Sequence, residues 1–221
     1  MTAHFSIAID GPSGSGKSSV AKAIAKIFGL FHLDSGAFYR AVAYYLNHLG
    51  VDFLNDGQCQ KALESIHFEI SPIGIVLNGH LVGEEIRTSE NSQIASKVSM
   101  IRQVRVFVTK VVRELSQNQN VIMDGRDIGT VVLPNADLKL FITASIEERA
   151  RRRQEEMKQQ GYSASFEEML KEIKERDHRD ISREISPLKP APDAILIDTT
   201  DLSFDQVVEK VTTIIQEKIN R

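Results

Sequence analysis

The sequence predicts an α/β protein built on a central parallel sheet, and three observations carry that prediction. Short, continuously apolar runs rich in β-branched residues recur at residues 5–9, 121–123, 138–142 and 194–197, the pattern of parallel strands covered on both faces. Stretches of helical spacing follow most of them, and regular alternation of strand and helix implies a parallel sheet sandwiched between helices. The runs stop at Asp124-Gly125, Thr143 and Asp198, and in such a sheet sites lie beyond the carboxyl ends of the strands.

The first run leads into Gly11-Pro12-Ser13-Gly14-Ser15-Gly16-Lys17-Ser18, which fits the phosphate-cradling pattern G-x-x-x-x-G-K-[ST]. Residues 19–26 then have helical spacing, as the pattern requires. Backbone N–H groups and the helix dipole at that junction hold phosphates, and the glycines let the backbone wrap closely round an anion. Lys17 is placed to reach the β- and γ-phosphates of a nucleotide, and the Ser18 hydroxyl to bind Mg²⁺. The alternative, an ordinary Gly/Ser-rich turn, does not account for the strand before it and the helix after it.

Asp34-Ser35-Gly36-Ala37-Phe38-Tyr39-Arg40 opens the next helical stretch, with Arg40 about one turn in. An arginine there suits a phosphate, whose oxygens match its fork, or is simply an exposed helix residue. Residues 66–83 break the rhythm: apolar runs on either side of Asn78-Gly79 signal a hairpin, hence a small antiparallel insert. Residues 88–116 read as two helices. Asp124 is either a Walker-B-like aspartate or a turn residue before Gly125, and the Arg126-Asp127 pair after it faces substrate or forms a surface ion pair. Ser145-x-x-Glu148, Ser165-x-x-Glu168 and Ser203-x-x-Gln206 are capping-box helix starts.

Arg149-Ala150-Arg151-Arg152-Arg153 puts four arginines in five residues. They spread round most of a helix, so they are either a solvated surface or a lid that carries some of them to a transferred phosphoryl group. Arg176, Asp180 and Arg183 share one helix face at i, i+4 and i+7, as an ion-paired face or as part of a phosphate site. Net charge is −3 over 221 residues, which leaves no global basic field for nucleic acid or a membrane surface. Cys59 is the only cysteine, which points to a reducing, cytoplasmic location. No apolar run reaches the roughly 18 residues of a membrane span.

Taken together, these motifs resemble the bacterial cytidylate kinases, within the nucleoside monophosphate kinase superfamily. The resemblance runs from Ile7 to about Val211. It rests on residues 9–18, on Leu33 to Arg40, on Glu84-Glu85-Ile86-Arg87-Thr88, on Asp124-Gly125-Arg126-Asp127-Ile128-Gly129-Thr130-Val131-Val132, and on Glu175-Arg176-Asp177-x-Arg179-Asp180. It implies a single kinase domain over residues 1–221: a three-layer P-loop sandwich with a core of 1–50 and 118–221, an acceptor-binding insert of about 51–117, and a helical lid of about 149–161. The implied reaction is ATP with CMP or dCMP, giving ADP with CDP or dCDP, with Mg²⁺ on the nucleotide and Ser18 as its protein ligand.

The P-loop pattern and the lid reading together give Gly11, Pro12, Ser13, Gly14, Ser15, Gly16, Lys17, Ser18, Ser19, Arg149 and Arg153 as the expected ATP-binding residues. Arg40, Arg126 and Arg183 match arginines on the acceptor phosphate, Ser35 a serine at the acceptor site, and Arg176 and Asp180 groups near its ribose. Lys17, Arg126 and Arg183 are the expected catalytic residues. Ser96, Arg105 and Asp127 match residues that read the cytosine ring. That trio makes chemical sense, because a carboxylate accepts from the N4 amino group and an arginine donates to N3 and O2. Uracil reverses the pattern and would leave buried groups unmatched. Where the family usually has Pro-x-Val-Arg, this chain has Arg102-Gln103-Val104-Arg105, and the spacing to Ser96 favours Arg105 over Arg102. The implied partners are small molecules, not nucleic acid or membrane, and the implied state is a monomer. Rival readings are a kinase for UMP or a non-nucleotide acceptor, and a GTPase switch, whose Asn/Thr-Lys-x-Asp guanine motif this chain lacks.

Overall fold

The computed structural model describes residues 4–53, 55–71, 74–159 and 161–220. Its strands are β1 Ser6–Asp10, β2 Phe31–Asp34, β3 Phe68–Ser71, β4 Gly74–Leu77, β5 His80–Leu81, β6 Val121–Gly125, β7 Leu138–Thr143 and β8 Ile195–Asp198. Its helices are α1 Lys17–Phe28, α2 Ser35–His48, α3 Asp56–Glu64, α4 Ser89–Val98, α5 Arg102–Leu115, α6 Ile146–Gln159, α7 Phe166–Ser182 and α8 Phe204–Ile219. The chain divides into two units, residues 1–33 with 118–221, and residues 34–117. The second unit takes in α2 as well as the stretch read as an insert.

The first unit holds a five-stranded sheet in the order β2-β6-β1-β7-β8. β1 pairs in parallel with β6 on one side and β7 on the other, and β7 pairs in parallel with β8. Ile7, Ala8 and Ile9 of β1 are fully buried, which is why that run is apolar on both faces. The expectation of two covered faces fails at β8, where Ile195 is 43% and Leu196 63% exposed. β8 is the edge strand, with a neighbour on one side only, and of its isoleucines only Ile197 enters the core.

Against this sheet α1 lays Val20, Ala21, Ile24 and Ala25, and α8 lays Val207, Val211 and Ile215, spaced one helical turn apart. α6 and α7 form a smaller core of their own around Ala150, Met169 and Ile173. The capping boxes at Ser165 and Ser203 close reciprocally, each serine accepting from the third helical N–H while the Glu168 or Gln206 side chain accepts from the cap. The third expected box closes by half. Ser145 Oγ accepts from Glu148 N at 3.2 Å, but the Glu148 carboxylate goes to Arg151 and Arg152, and Ser145 N donates to Thr200 Oγ1 at 3.0 Å.

The second unit has the expected hairpin. β3, β4 and β5 form an antiparallel sheet, and Asn78 and Gly79 turn between β4 and β5 with φ of 50° and 81°. Positive φ at both central positions is what a type I′ turn demands and what Asn-Gly supplies. The expected pair of helices over 88–116 is α4 and α5. Asn91 Nδ2 donates to Ile86 O at 2.8 Å and to Arg40 O at 3.0 Å, tying α4 to α2. Phe68 of β3 meets Phe38 edge-on at 5.2 Å and Phe107 at 6.2 Å, so the small sheet is anchored on α2 and α5.

Replacing Ser203 by Ala removes one half of a complete capping box and should cost about 1 kcal/mol. Thermal denaturation followed by circular dichroism should show the melting temperature falling by about 2–4 °C.

Candidate active site

The loop between β1 and α1 is built round Lys17, which is buried and donates from Nζ to Pro12 O at 3.0 Å. The loop is backed by α6. A Cβ on Gly14 would stand a tight 3.2 Å from both Cβ and carbonyl O of Arg149, and the residue's φ of 75° is one that side-chain-bearing residues rarely adopt, so the position favours glycine. Ser15 Oγ is buried and has no hydrogen-bond partner, a polar group awaiting one inside an anion-shaped loop. Burial lowers the pKa of Lys17 from 10.5 to about 7; Arg126 and Arg176 push the same way, and Asp124 and Asp180 oppose. A polyphosphate supplies the anionic partner that this amine lacks.

Asp124 is a residue of β6 rather than of a turn, and its carboxylate meets the first turn of α1. Its Oδ2 accepts from Ser18 Oγ at 2.5 Å and its Oδ1 lies 2.7 Å from His32 Nε2. A serine hydroxyl and a carboxylate are hard oxygen donors of the kind Mg²⁺ takes. Among the described residues no group of three or more His, Cys, Asp or Glu is arranged to hold a metal.

One residue before the loop, Asp10 accepts from Ile128 N at 2.7 Å and Gly129 N at 2.8 Å. It thereby pins the single π-type turn Ile128–Val132 that follows β6. Burial pushes the Asp10 carboxyl up to about 6, against the pull of those two N–H groups and Lys17 and with the help of Asp127.

The Arg126-Asp127 pair is neither exposed nor paired within itself. Arg126 Nε donates to Asp180 Oδ2 at 2.8 Å and Nη1 to Gly125 O at 3.2 Å. Arg183 Nη2 lies 3.5 Å from Asp127 Oδ1, its Nη1 3.8 Å from Asp180 Oδ1, and its Nε donates to Ser186 O at 2.6 Å. Asp127, Asp180 and Arg183 are all buried. Burial would raise the Asp180 carboxyl, but Arg126, Arg176 and Arg183 outweigh it and hold it below the usual range. Three guanidinium groups thus act on the Asp180 carboxylate, and Arg126 and Arg176 also act on the P-loop lysine.

The arginine run on α6 divides its work. Arg149 is buried and donates to Ala144 O at 3.0 Å, Ser13 O at 3.1 Å and Asp177 Oδ2 at 2.7 Å. Arg152 donates to Thr199 Oγ1 at 3.0 Å and Thr199 O at 2.6 Å. Arg153 pairs with Glu156 at 2.7 Å, and Arg151 pairs with Glu148 on the exposed side. A cleft of about 510 Å³ opens between the P-loop residues Gly14, Ser15, Gly16 and Ser19, Arg152 and Arg153 of α6, and Thr199, Leu202, Phe204 and Val207 after β8. Arg152 belongs to the arginine run singled out in the sequence, whereas no sequence motif marks Thr199, Leu202 and Phe204, which also line the cleft. The available signal was position, because Thr199 directly follows the carboxyl end of β8. The expected lid, 149–161, falls on α6 and the turn after it; Gln160 lies outside the described residues.

In the second unit Asp34 caps α2, accepting from Ala37 N at 3.2 Å, and holds Arg40 Nη2 at 2.7 Å. Ser35 is buried in the first turn. Arg105 is buried under the Tyr39 ring, 5.6 Å from its centroid, and its Nη1 donates to Ser99 O at 3.1 Å. Ser99 Oγ in turn donates to Ser96 O at 2.8 Å. Ser96 and Arg105 are therefore linked through one residue, whereas Arg102 is exposed.

A parallel sheet whose central strand feeds a glycine-rich loop, a buried lysine and a hydroxyl–carboxylate pair defines a P-loop phosphotransferase. Solved structures share that fold: the shikimate kinase of Bacteroides thetaiotaomicron has a TM-score of 0.51 at 11% identity, covering 99% of this chain and 100% of its own. An uncharacterised protein from Eubacterium ventriosum has a TM-score of 0.51 at 14% identity, covering 96% and 99%.

The chain belongs to the cytidylate kinase family: residues 7–217 match the family model described as cytidylate kinase. A cytidylate kinase of Thermosipho melanesiensis is 47% identical over 212 residues, 96% of this chain and 97% of that one. One from Anoxybacillus flavithermus is 45% identical over 223 residues, 99% of each.

The depressed Lys17 gives a pH signature. A bound polyphosphate restores its charge, so binding of metal-free ADP takes up a proton between pH about 7 and 10.5, and affinity falls as pH rises through that window. Calorimetry at about pH 8 in buffers of different ionisation enthalpy should show uptake approaching one proton per nucleotide. Lys17→Met should abolish it.

Proposed function

We infer that this protein is a cytidylate kinase, transferring the γ-phosphoryl group of ATP to CMP or dCMP. The observation that carries the chemistry is the buried cluster of Arg126, Asp127, Asp180 and Arg183 in the same unit as Lys17 and the Ser18–Asp124 pair. An oxygen of the acceptor phosphate attacks the γ-phosphorus, the bond to the ADP oxygen breaks, and the charge moves onto ADP. That attacking oxygen is already ionised at neutral pH, so no general base is required and the work is positioning and charge neutralisation.

Lys17 meets the β- and γ-phosphates, and Arg126 and Arg183 meet the acceptor phosphate, with the rest of the assignment as the family resemblance gives it. Residues 11–19 and the lid arginines bind ATP, with Arg153 lining the cleft and Arg149 acting through the Ser13 backbone it holds. Ser35, Arg40, Arg176 and Asp180 bind the phosphate and ribose of the acceptor, and Ser96, Arg105 and Asp127 read its base. Arg126 already rests on Asp180 and Gly125 O, so it is aimed before substrate arrives, which lowers the cost of ordering it. Ser18, with Asp124 behind it, would hold Mg²⁺, which would supply charge neutralisation on the nucleotide's phosphates. Closure of the lid over 149–161 keeps water from the γ-phosphate. The protein acts on free nucleotides in the cytoplasm, a reading supported by its lone, buried Cys59, and as a monomer, which rests on the family resemblance alone.

The direct test is ADP release from Mg-ATP with CMP, dCMP, UMP, AMP and GMP as acceptors. Fast turnover with CMP and dCMP and little with the rest is expected; equal turnover with UMP would refute the base-reading trio, and none with any acceptor would refute the kinase. Arg126→Ala should lower kcat by roughly 10²–10³ while leaving ATP binding within a few-fold, as separated by steady-state kinetics and calorimetry. Unchanged kcat would remove Arg126 from the machinery.

A further inference from the structure

Beyond the residues already assigned, His32 makes a contact that no family motif explains. It stands on β2, the strand beside β6, and its Nε2 lies 2.7 Å from Asp124 Oδ1. The other oxygen of the same carboxylate, Oδ2, is the one that accepts from Ser18 Oγ. In the tautomer with hydrogen on Nε2 the ring donates to this carboxylate. Water has little access to the contact: the His32 side chain is 16% exposed and that of Asp124 2%. Hydrogen bonds to an ionised group are at their strongest in such a setting.

We propose that His32 is a positioning residue of the metal site. By holding Oδ1 it fixes the plane of the Asp124 carboxylate, so that Oδ2 is presented to the Ser18 hydroxyl and to a divalent cation arriving with the nucleotide. The torsion that turns an aspartate carboxylate has broad wells and does not fix that plane by itself. Mg²⁺ demands near-ideal octahedral geometry, so a carboxylate free to swing is a poor anchor. Partners that orient a ligating group typically govern metal affinity by 10–100-fold. The proposal rests on the reading of Ser18 and Asp124 as the metal-anchoring pair.

The test is calorimetric and needs no turnover. ADP is titrated into the full chain once with excess Mg²⁺ and once with EDTA, and the ratio of the two affinities measures what the cation contributes. His32→Leu should cut that ratio about ten-fold and leave metal-free ADP binding unchanged. His32→Gln, which keeps an N–H near the place of Nε2, should restore most of the ratio. On an Asp124→Asn background, adding His32→Leu should change the ratio no further, because the residue acts only through that carboxylate. An unchanged ratio in His32→Leu, an equal fall with and without metal, or a further loss on the Asp124→Asn background overturns the proposal. If His32→Leu does not fold, His32→Met is the second donor-free variant, read by the same outcomes. A wild-type chain that gains no ADP affinity from Mg²⁺ would instead overturn the metal-anchoring reading.

Discussion

The in-register pairing of β1 with β6 is the constraint on which the P-loop unit depends. Ile9 stands opposite Asp124 and Asp10 opposite Gly125, so the two strands end together and their loops leave the sheet side by side. That is why Ser18, one residue into α1, meets Asp124, and why Asp10 reaches the N–H groups of Ile128 and Gly129. A slip of one residue would turn every side chain of β1 to the opposite face and separate both pairs. The apolar content that fixes the register, Ile7 and Ile9 against Ile122 and Leu140, therefore determines where the polar atoms of the site stand.

The polar atoms are expensive to keep there. Burial drives Lys17 down to about 7 and Asp10 up to about 6, which means that each ion is held in a place that disfavours its charge. Asp180 shows the opposite balance, because the three arginines around it more than offset its burial. In the proposed function the loop hydroxyl of Ser15, which has no hydrogen-bond partner, and the depressed Lys17 are the groups that an anion would complete. Stability is given up in the free protein and recovered when phosphate groups enter, which is how binding energy becomes positioning.

Much of this was legible in the sequence, and the reasons differ by element. The P-loop was readable because its chemistry demands specific residues at fixed spacing, and the Asn78-Gly79 hairpin because positive φ restricts which residues serve. Neither β2 nor α3 announced itself. β2 is four residues long and carries His32 and Asp34 among its apolar positions, and α3 is a short polar helix with Gly57 in its first turn; both are held by tertiary surroundings that local pattern does not encode. The Ser145 box half-failed for a similar reason. Thr200, fifty-five residues away, competed for the cap N–H, while two neighbouring arginines competed for Glu148.

The arginine run on α6 was the least legible part, since four identical side chains offer no signal to tell them apart. Packing separates them. Arg149 faces inward, where Gly14 leaves room for it, and its guanidinium joins the P-loop carbonyl of Ser13 to Asp177 on α7. Arg152, three residues on, reaches the loop after β8 instead, gripping both the hydroxyl and the carbonyl of Thr199. α6 is thus fastened by one arginine to the P-loop and by another to the far wall of the cleft. Swinging the helix as a rigid lid would break the three bonds of Arg149, and beyond Arg152 it would also break the bond from Gln154 Nε2 to Ala164 O at 3.0 Å and pull Met157 from its place against Met169 and Ile173. Both halves of α6 are therefore tied in place, the first to the P-loop and the loop after β8, the second to the turn that follows it and to α7.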